Sequence, residues 1–527
     1  MEKLNVSISD FGQIRANGLL YIDKTEYLWK LVESAPSMYF LSRPRRFGKT
    51  LTVSTLKAVF EGRKELFRGL AIYDKPYDWK PYPVLHLDMA NCDARSPEAL
   101  RDYLARMLQK LAAEHHLRIQ VDRNQLSSSF SDLIHAAAEN APAVILLDEY
   151  DKPILENLDS PSLPLIRDIL ADFYSSIKKE NASERFVFIT GVTKFCHVSL
   201  FSKLNNLLDI SRNARFATML GYTQSEFENA FREWIVQTEA AQELPHEDFL
   251  AEIKNRYDGY RFEEHAECVY NPVSLAHFFL NDGKFDNYWF ATGTTHFLFE
   301  LMKKQSFDLP EALEDSVSSV FFEAFELDQL NPKTLLYQTG YLTIGQTVKV
   351  PVPYTKVKNT EYTLVFPNYE VKSSFNDHLL KYYAGVQADQ SQRLIRNLIR
   401  SVGSGDVDGF MKQLQVLFAN IPYDMRGSSE HDYQTVIYVI FMMLNFFIEA
   451  EHRTNNGRID LMLSAGNWTY VIEIKLNRDA GHAMKQIQNK EYALKFTGRG
   501  RQVVAVGVNF DSVRGQITDW ISEKIIS

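Results

Sequence analysis

Through the first 220 residues, short apolar runs alternate with amphipathic stretches. The runs at 37–41, 83–87, 143–147 and 186–189 are each followed by turn residues and then by a helical pattern. Runs of this length suit strands buried on both faces, and strands alternating with helices predict a parallel sheet covered by helices. From 221 to 290 the pattern becomes helical and aromatic, with Phe227, Phe231 and Trp234, and suits a small lid or winged-helix-like module. Residues 291–375 mix helix with a strand-rich patch at 348–366 that carries Pro351 and Pro353. Helical periodicity returns from 387 to 418, and a loop at 420–429 carries Pro422 and Gly427. The last hundred residues read helix, hairpin, helix, strand, helix. The expected organisation is 1–220, 221–385 and 386–527, with the core of the last part at about 430–520.

Composition changes this picture little. Of 527 residues, 45% are hydrophobic, enough to fill ordinary soluble cores. The net charge of -9 excludes a generally basic nucleic-acid coat, so any such contact needs a local basic surface or metal ions. Cys92, Cys196 and Cys268 are odd in number and far apart, which excludes a disulfide framework. The run 436–448, broken by Asn445, falls short of the roughly 20 residues that span a bilayer and predicts a buried helix. Residues 1–18 hold no apolar segment of the signal-peptide kind. The expectation is a cytoplasmic protein without membrane contact.

Candidate chemistry begins at Gly48-Lys49-Thr50, which follows an apolar strand and opens a helix. This is the end of a Walker A motif. Gly48 lets the backbone approach a phosphate, and the helix start offers free N–H groups and a positive dipole end. Lys49 suits the β- and γ-phosphates, and the Thr50 hydroxyl suits Mg2+. Arg43 stands where the full pattern has glycine. Four aliphatics then lead into Asp148-Glu149, a Walker B pattern. Asp148 would hold the metal and Glu149 would polarise the attacking water. A third strand ends at Thr190-Gly191-Val192-Thr193, so Thr190 and Thr193 are both candidates to sense the γ-phosphate. Arg45 and Arg46 are either further phosphate contacts or groups offered to a neighbouring subunit, which would make the chain a homo-oligomer.

A second constellation lies near the C-terminus. Two alternating runs flank Gly466-Asn467, a favoured two-residue hairpin turn. Pairing Ala465 with Trp468 and counting outward sets Asp460 opposite Glu473. Such residues share a face, with Cβ atoms roughly 4.5–5.5 Å apart. Two residues on, Lys475 projects from that same face. Two carboxylates that close repel unless a cation lies between them. With an ammonium beside them they suit metal-assisted hydrolysis of a phosphodiester. Glu451, read as the end of the preceding helical run, is a further candidate metal ligand, and Glu430 a weaker one. On the helix expected at 480–496, either Gln486 or Gln488, with Tyr492 on the same face as Gln488, would contact a scissile phosphate or hold the lysine.

These residues resemble a known family. The strings are Tyr21-Ile22-Asp23-Lys24-Thr25, Arg43-Pro44-Arg45-Arg46-Phe47-Gly48-Lys49-Thr50, Tyr288-Trp289-Phe290-Ala291-Thr292-Gly293, Gly457-Arg458-Ile459-Asp460 and Glu473-Ile474-Lys475. They are similar to bacterial proteins that join an AAA-ATPase-like domain to a PD-(D/E)XK nuclease domain. The resemblance covers nearly the whole chain and makes an arginine at position 43 ordinary. It implies an α/β fold class: a P-loop NTPase domain, a helical or winged-helix-like middle region, and a restriction-endonuclease-like C-terminal α/β domain. It further implies Asp460, Glu473 and Lys475 as a nuclease core and favours Gln486 over Gln488. ATP and Mg2+, with Mn2+ as a substitute at the nuclease site, are the expected cofactors. Nucleic acid is the expected partner, DNA ahead of RNA. The rival expectation is a nucleotide-dependent switch whose nuclease-like domain is silent and serves only for docking.

Overall fold

The computed structural model describes residues 2–33, 37–194, 200, 206–289, 295–305, 307, 309–323, 330–352, 354–355, 357–419, 430–444, 449–454, 458–489, 501–511 and 513–525. They divide into two compact units, one of residues 1–298 and 316–371, the other of 299–315 and 372–527. The middle region expected at 221–385 is therefore shared between them.

The first unit is built on five parallel strands in the order β2-β3-β4-β1-β5. They are β1 (Ser37–Ser42), β2 (Val84–Asp88), β3 (Ala143–Asp148), β4 (Glu184–Gly191) and β5 (Leu207–Asp209). The first four are the apolar runs of the sequence. The fifth has three residues, too few for a periodicity to register. Helices α1 (Lys49–Phe60), α2 (Pro97–Glu114), α3 (Leu126–Ala137) and α4 (Leu163–Lys179) supply the crossovers. All six residues of β3 are buried, as its unbroken apolar text requires. Phe130 of α3 and Phe173 of α4 stack at 4.8 Å between ring centroids. Because β4 lies between β1 and β3, the two strands that carry the candidate motifs are not neighbours. Their C-terminal ends, where ligands of such sheets bind, flank the end of β4.

Helices at Gln224–Ala230, Arg232–Gln242, His246–Tyr257 and Pro272–Leu280 follow. They close over an aromatic core that includes Phe227, Phe231, Phe249, Tyr257 and Phe278. The strand-rich patch is an antiparallel sheet in the order β6-β8-β7, of β6 (Val317–Ser318), β7 (Thr343–Pro351) and β8 (Lys358–Val365).

The second unit holds a five-stranded sheet in the order β13-β12-β11-β10-β9. Its strands are β9 (Glu449–Thr454), β10 (Arg458–Ala465), β11 (Trp468–Leu476), β12 (Gln502–Asp511) and β13 (Gln516–Ile525). Only β11 and β12 run parallel, joined through helix α7 (Ala480–Asn489). Helices α5 (Ala388–Ser404) and α6 (Val407–Ala419) cover one face, where Val402, Phe410 and Met411 meet Leu463, Tyr470 and Val506. On the other face, Met484 and Ile487 of α7 pack on Val471, Val503 and Ala505. The helix Glu430–Leu444 has Val436, Ile437 and 439–444 buried, as expected of the apolar run there. Among the described residues no helix is long and apolar enough to cross a membrane.

Two expectations need correction here. The last element is strand β13, not a helix: 516–525 pairs antiparallel with β12, and the exposed side of this edge strand gives it a mixed text easily taken for a helix face. Glu451 does not end a helical run. It lies in β9, whose residues pair along β10 and extend the hairpin to three strands.

Candidate functional site

The chain enters the phosphate loop from β1, with Phe40 and Leu41 fully buried. Arg43 turns inward and is 2% exposed. Its guanidinium donates to the carbonyls of Ser42 and Ser211 at 2.9 and 2.7 Å and to that of Phe216 at 3.4 Å, and lies 4.1 Å from the centroid of the Phe262 ring. Burial lowers its pKa to about 10. Arg43 is thus an anchor for the base of the loop. Phe47 is a second anchor, edge-on to Tyr260 and Phe262 at 4.8 and 5.4 Å. Between the anchors, Arg45 and Arg46 line a cleft of about 500 Å³ with Gly48, Lys49, Thr50 and Glu149. Gly48 has φ +93, a conformation that favours glycine, and no side chain caps the N-terminus of α1 behind it. The backbone N–H groups there can take a phosphate.

Lys49 is 6% exposed, and its ammonium donates to the carbonyls of Arg43 and Pro44 at 3.0 Å each. Burial lowers its pKa, against the pull of Asp148, Glu149 and Asp151. Asp148 is fully buried at the end of β3, and neither carboxylate oxygen makes a hydrogen bond of ordinary geometry. Burial pushes its pKa up to about 6, opposed by the Thr50 hydroxyl and Lys49 and reinforced by Glu149 and Asp88. Two orphaned buried oxygens beside a threonine hydroxyl are a donor set that fits a hard divalent cation. The Thr190 hydroxyl donates to the Leu41 carbonyl at 2.8 Å and ties β4 to β1. The Thr193 hydroxyl donates to Asp151 at 2.6 Å.

On the C-terminal sheet, Gly466-Asn467 turns the hairpin as the sequence requires, and Ala465 pairs with Trp468. Asp460 is directly opposite Glu473, and Arg458 opposite Lys475. The Glu473 side chain is 1% exposed and its Oε1 lies 2.9 Å from Lys475 Nζ. On the neighbouring strand β9, Glu451 pairs with Met462, two residues from Asp460 on the same face. The backbones of Glu451 and Asp460 are described, but their side chains, like residue Tyr492 and the side chain of Glu430, lie outside the described residues. Glu473 brings a described carboxylate to this position, a hard oxygen donor of the kind that suits Mg2+ or Mn2+.

Gly507 faces Glu473 across β12. A Cβ there would lie 2.6 Å from the Ala480 carbonyl and 2.7 Å from the Met484 nitrogen, so glycine is what lets α7 settle on this face. Gln488 leans to the β13 side, donating to Glu523 at 2.9 Å. The buried stripe of α7 is Ala480, Ala483, Met484 and Ile487. At about 100° per residue, Gln486 falls on the opposite flank of that stripe from Gln488, away from β13.

The family described as a predicted AAA-ATPase matches residues 5–201, and the PD-(D/E)XK nuclease superfamily matches 428–520. A relative from Azotobacter chroococcum mcd 1, named "Uncharacterized protein in vnfD 5'region", is 35% identical over 536 residues, spanning 99% of each chain. The chain belongs to the AAA-ATPase-like, PD-(D/E)XK nuclease family.

Its AAA-ATPase-like domain holds two further acids beside Asp148 that motif reading passed over. Asp151 is 1% exposed and accepts from the backbone N–H of Val192 and Thr193 as well as from the Thr193 hydroxyl. It clamps the end of β4 beside Asp148. The signal available was a second aspartate three residues past the first, in Asp148-Glu149-Tyr150-Asp151. Asp88 ends β2 directly opposite Asp148, and its own apolar-run-then-acid text matches that of β3. Other strings of the AAA-ATPase-like, PD-(D/E)XK nuclease family have visible structural work. Asp23 accepts from the Thr25 hydroxyl and the Ala71 N–H, and Lys24 donates to Glu226 at 2.7 Å. Glu370, pushed by burial up to about 7, accepts from the N–H groups of Tyr288 and Trp289. Residues 290–294 lie outside the described residues.

Proposed function

We propose that this chain binds and hydrolyses ATP in its N-terminal cleft and cleaves nucleic-acid phosphodiesters, DNA first among them, at its C-terminal sheet. The observation that carries the reading is Asp148, a buried carboxylate with two orphaned oxygens next to Lys49 and Thr50. A protein gains nothing in stability from such a group, whereas a cation bound between nucleotide and protein would satisfy it. Thr50 and Asp148 would hold that Mg2+, with Lys49 freed from two loop carbonyls to meet the β- and γ-phosphates. Glu149 would orient the attacking water and accept its proton.

The nuclease half is supported by the pairing of Asp460 with Glu473 and by the 2.9 Å contact of Lys475 with Glu473. Asp460, Glu473 and Glu451 would hold Mg2+ or Mn2+, Lys475 would orient the nucleophilic water, and Gln486 would contact the phosphate. Bound there, the metal lowers the pKa of water and offsets charge on the scissile phosphate. The test joins phosphate release from ATP with cleavage of plasmid and oligonucleotide substrates in Mg2+ or Mn2+. Wild type releases phosphate and Lys49→Ala does not; wild type cuts and Asp460→Ala does not. Equal phosphate release by both proteins would remove the ATPase assignment. Cleavage that survives Asp460→Ala would remove the nuclease site.

A further inference from the structure

Among the described residues, eight other than glycine have positive φ. Two of them, Arg46 at +67 and Glu149 at +53, line the nucleotide cleft, and none of the other six does. A left-handed conformation costs an L residue free energy that glycine would not pay, so its occurrence at two lining residues of one cleft points to a role for their side chains there. Glu149 is the water-orienting acid of the proposed reading. Arg46 comes out of the phosphate loop itself. It is exposed, it lines the cleft, and its charge is felt by His277 on the helix Pro272–Leu280. Arg45 lines the cleft as well, but is less exposed and has no left-handed backbone, and the loop's two remaining cations are turned inward. Arg43 is buried against three carbonyls, and Lys49 is bound to two.

We propose that Arg46 supplies, from within the same chain, the positive charge that stabilises the γ-phosphate during hydrolysis, so that no neighbouring subunit has to lend an arginine. This rests on the ATPase reading above. In the step concerned, the oxygen of water bonds to the γ-phosphorus while the bond to the β–γ bridging oxygen breaks. The electron pair leaves on ADP, and the water proton passes through Glu149 to the released phosphate. Negative charge grows on the bridging oxygen as that bond opens. A guanidinium cannot lose its proton at working pH, and its fork of N–H donors matches phosphate oxygens. The backbone of Arg46, at φ +67, is fixed on the lining of the cleft before nucleotide arrives, so that less reorganisation is needed later.

The test uses the full-length chain and Arg46→Gly. Glycine relaxes the φ +67 backbone, so the loop keeps its path and only the charge is lost. Binding is read with fluorescent ATP and ADP analogues, hydrolysis by phosphate release. The variant is expected to bind ADP as wild type does and to lose most of the preference for ATP over ADP. Its hydrolysis should fall by roughly 100-fold or more, the scale of an arginine that faces the transferred group. Mixing Arg46→Gly with Lys49→Ala protein separates the same-chain role from a shared one. Rates that stay low in the mixture support it. Rates restored by mixing would mean that Arg46 serves a neighbour, and would overturn it. Wild-type hydrolysis and wild-type ATP preference in Arg46→Gly would also overturn it, leaving the ATPase reading intact. Failure of the wild-type chain to bind either analogue would instead overturn that reading, and this proposal with it.

Discussion

At the scale of single residues, the cleft stores unfavourable electrostatics. Asp148 has its pKa raised by burial from the ordinary carboxylate value of 3.8 to about 6. Between those values the folded protein keeps a proton that the unfolded chain releases, so stability falls as pH rises from about 4 to about 6 and stays lower above that. Glu184 acts with the same sign over a wider range: it is 5% exposed at the start of β4, and burial pushes it to about 8. Asp148→Asn removes one of these penalties. Without nucleotide or metal, we expect the variant to be more stable than wild type at pH 7.5 by up to about 2 kcal/mol, with the gain vanishing below about pH 4. Urea melts at the two pH values measure this. The same variant should lose the stabilisation that Mg2+ with an ATP analogue gives wild type. A stability gain that persists at pH 4 would show that the ionised carboxylate is not its source.

At the scale of elements, close approach decides what the sheets can carry. Gly507 admits the first turn of α7 onto β12, and the atoms that a Cβ would strike are backbone, which cannot turn aside as a flexible side chain would. Gly507→Ala is expected to cost about 2–4 kcal/mol in denaturant unfolding and to lower cleavage through displacement of α7, with ATP hydrolysis little changed. A variant as stable as wild type would mean that α7 sits further from the sheet. Gly191 in the other sheet is crowded by side chains instead: a Cβ there would lie 2.5 Å from an Asp151 oxygen and 2.6 Å from the Tyr150 ring. Neither requirement shows in the sequence, because a glycine inside an apolar strand looks the same whether or not something leans on it.

At the scale of the molecule, the two candidate chemistries belong to separate compact units. Substitutions that share no partners act independently. Asp460→Ala is therefore expected to keep ATP hydrolysis within about twofold of wild type while losing cleavage. A large loss of both would mean that the two sites act as one. In a chain of net charge -9, Arg458 and Lys475 stand opposite each other by their Cα positions across β10 and β11, two cations at one register position.

What the sequence determined by itself was local. Four strands of the first sheet were legible because burial on both faces leaves an unbroken apolar run. The pairing of Asp460 with Glu473 was legible because a two-residue turn fixes every pair beyond it. The strand-loop-helix at 38–51 was legible because an apolar run that gives way to a loop and Gly48 marks a strand end and a helix start. Tertiary structure decided what depends on segments far apart in the chain. It put β4 between the two motif strands, paired the last ten described residues with β12 as a strand, and drew Glu451 into β9. It also turned Arg43 into the interior while leaving Arg46, three residues on, at the cleft. The two arginines read alike in sequence. What separates them is which carbonyls and rings, brought in from Ser211, Phe216 and Phe262, close around one guanidinium and not the other.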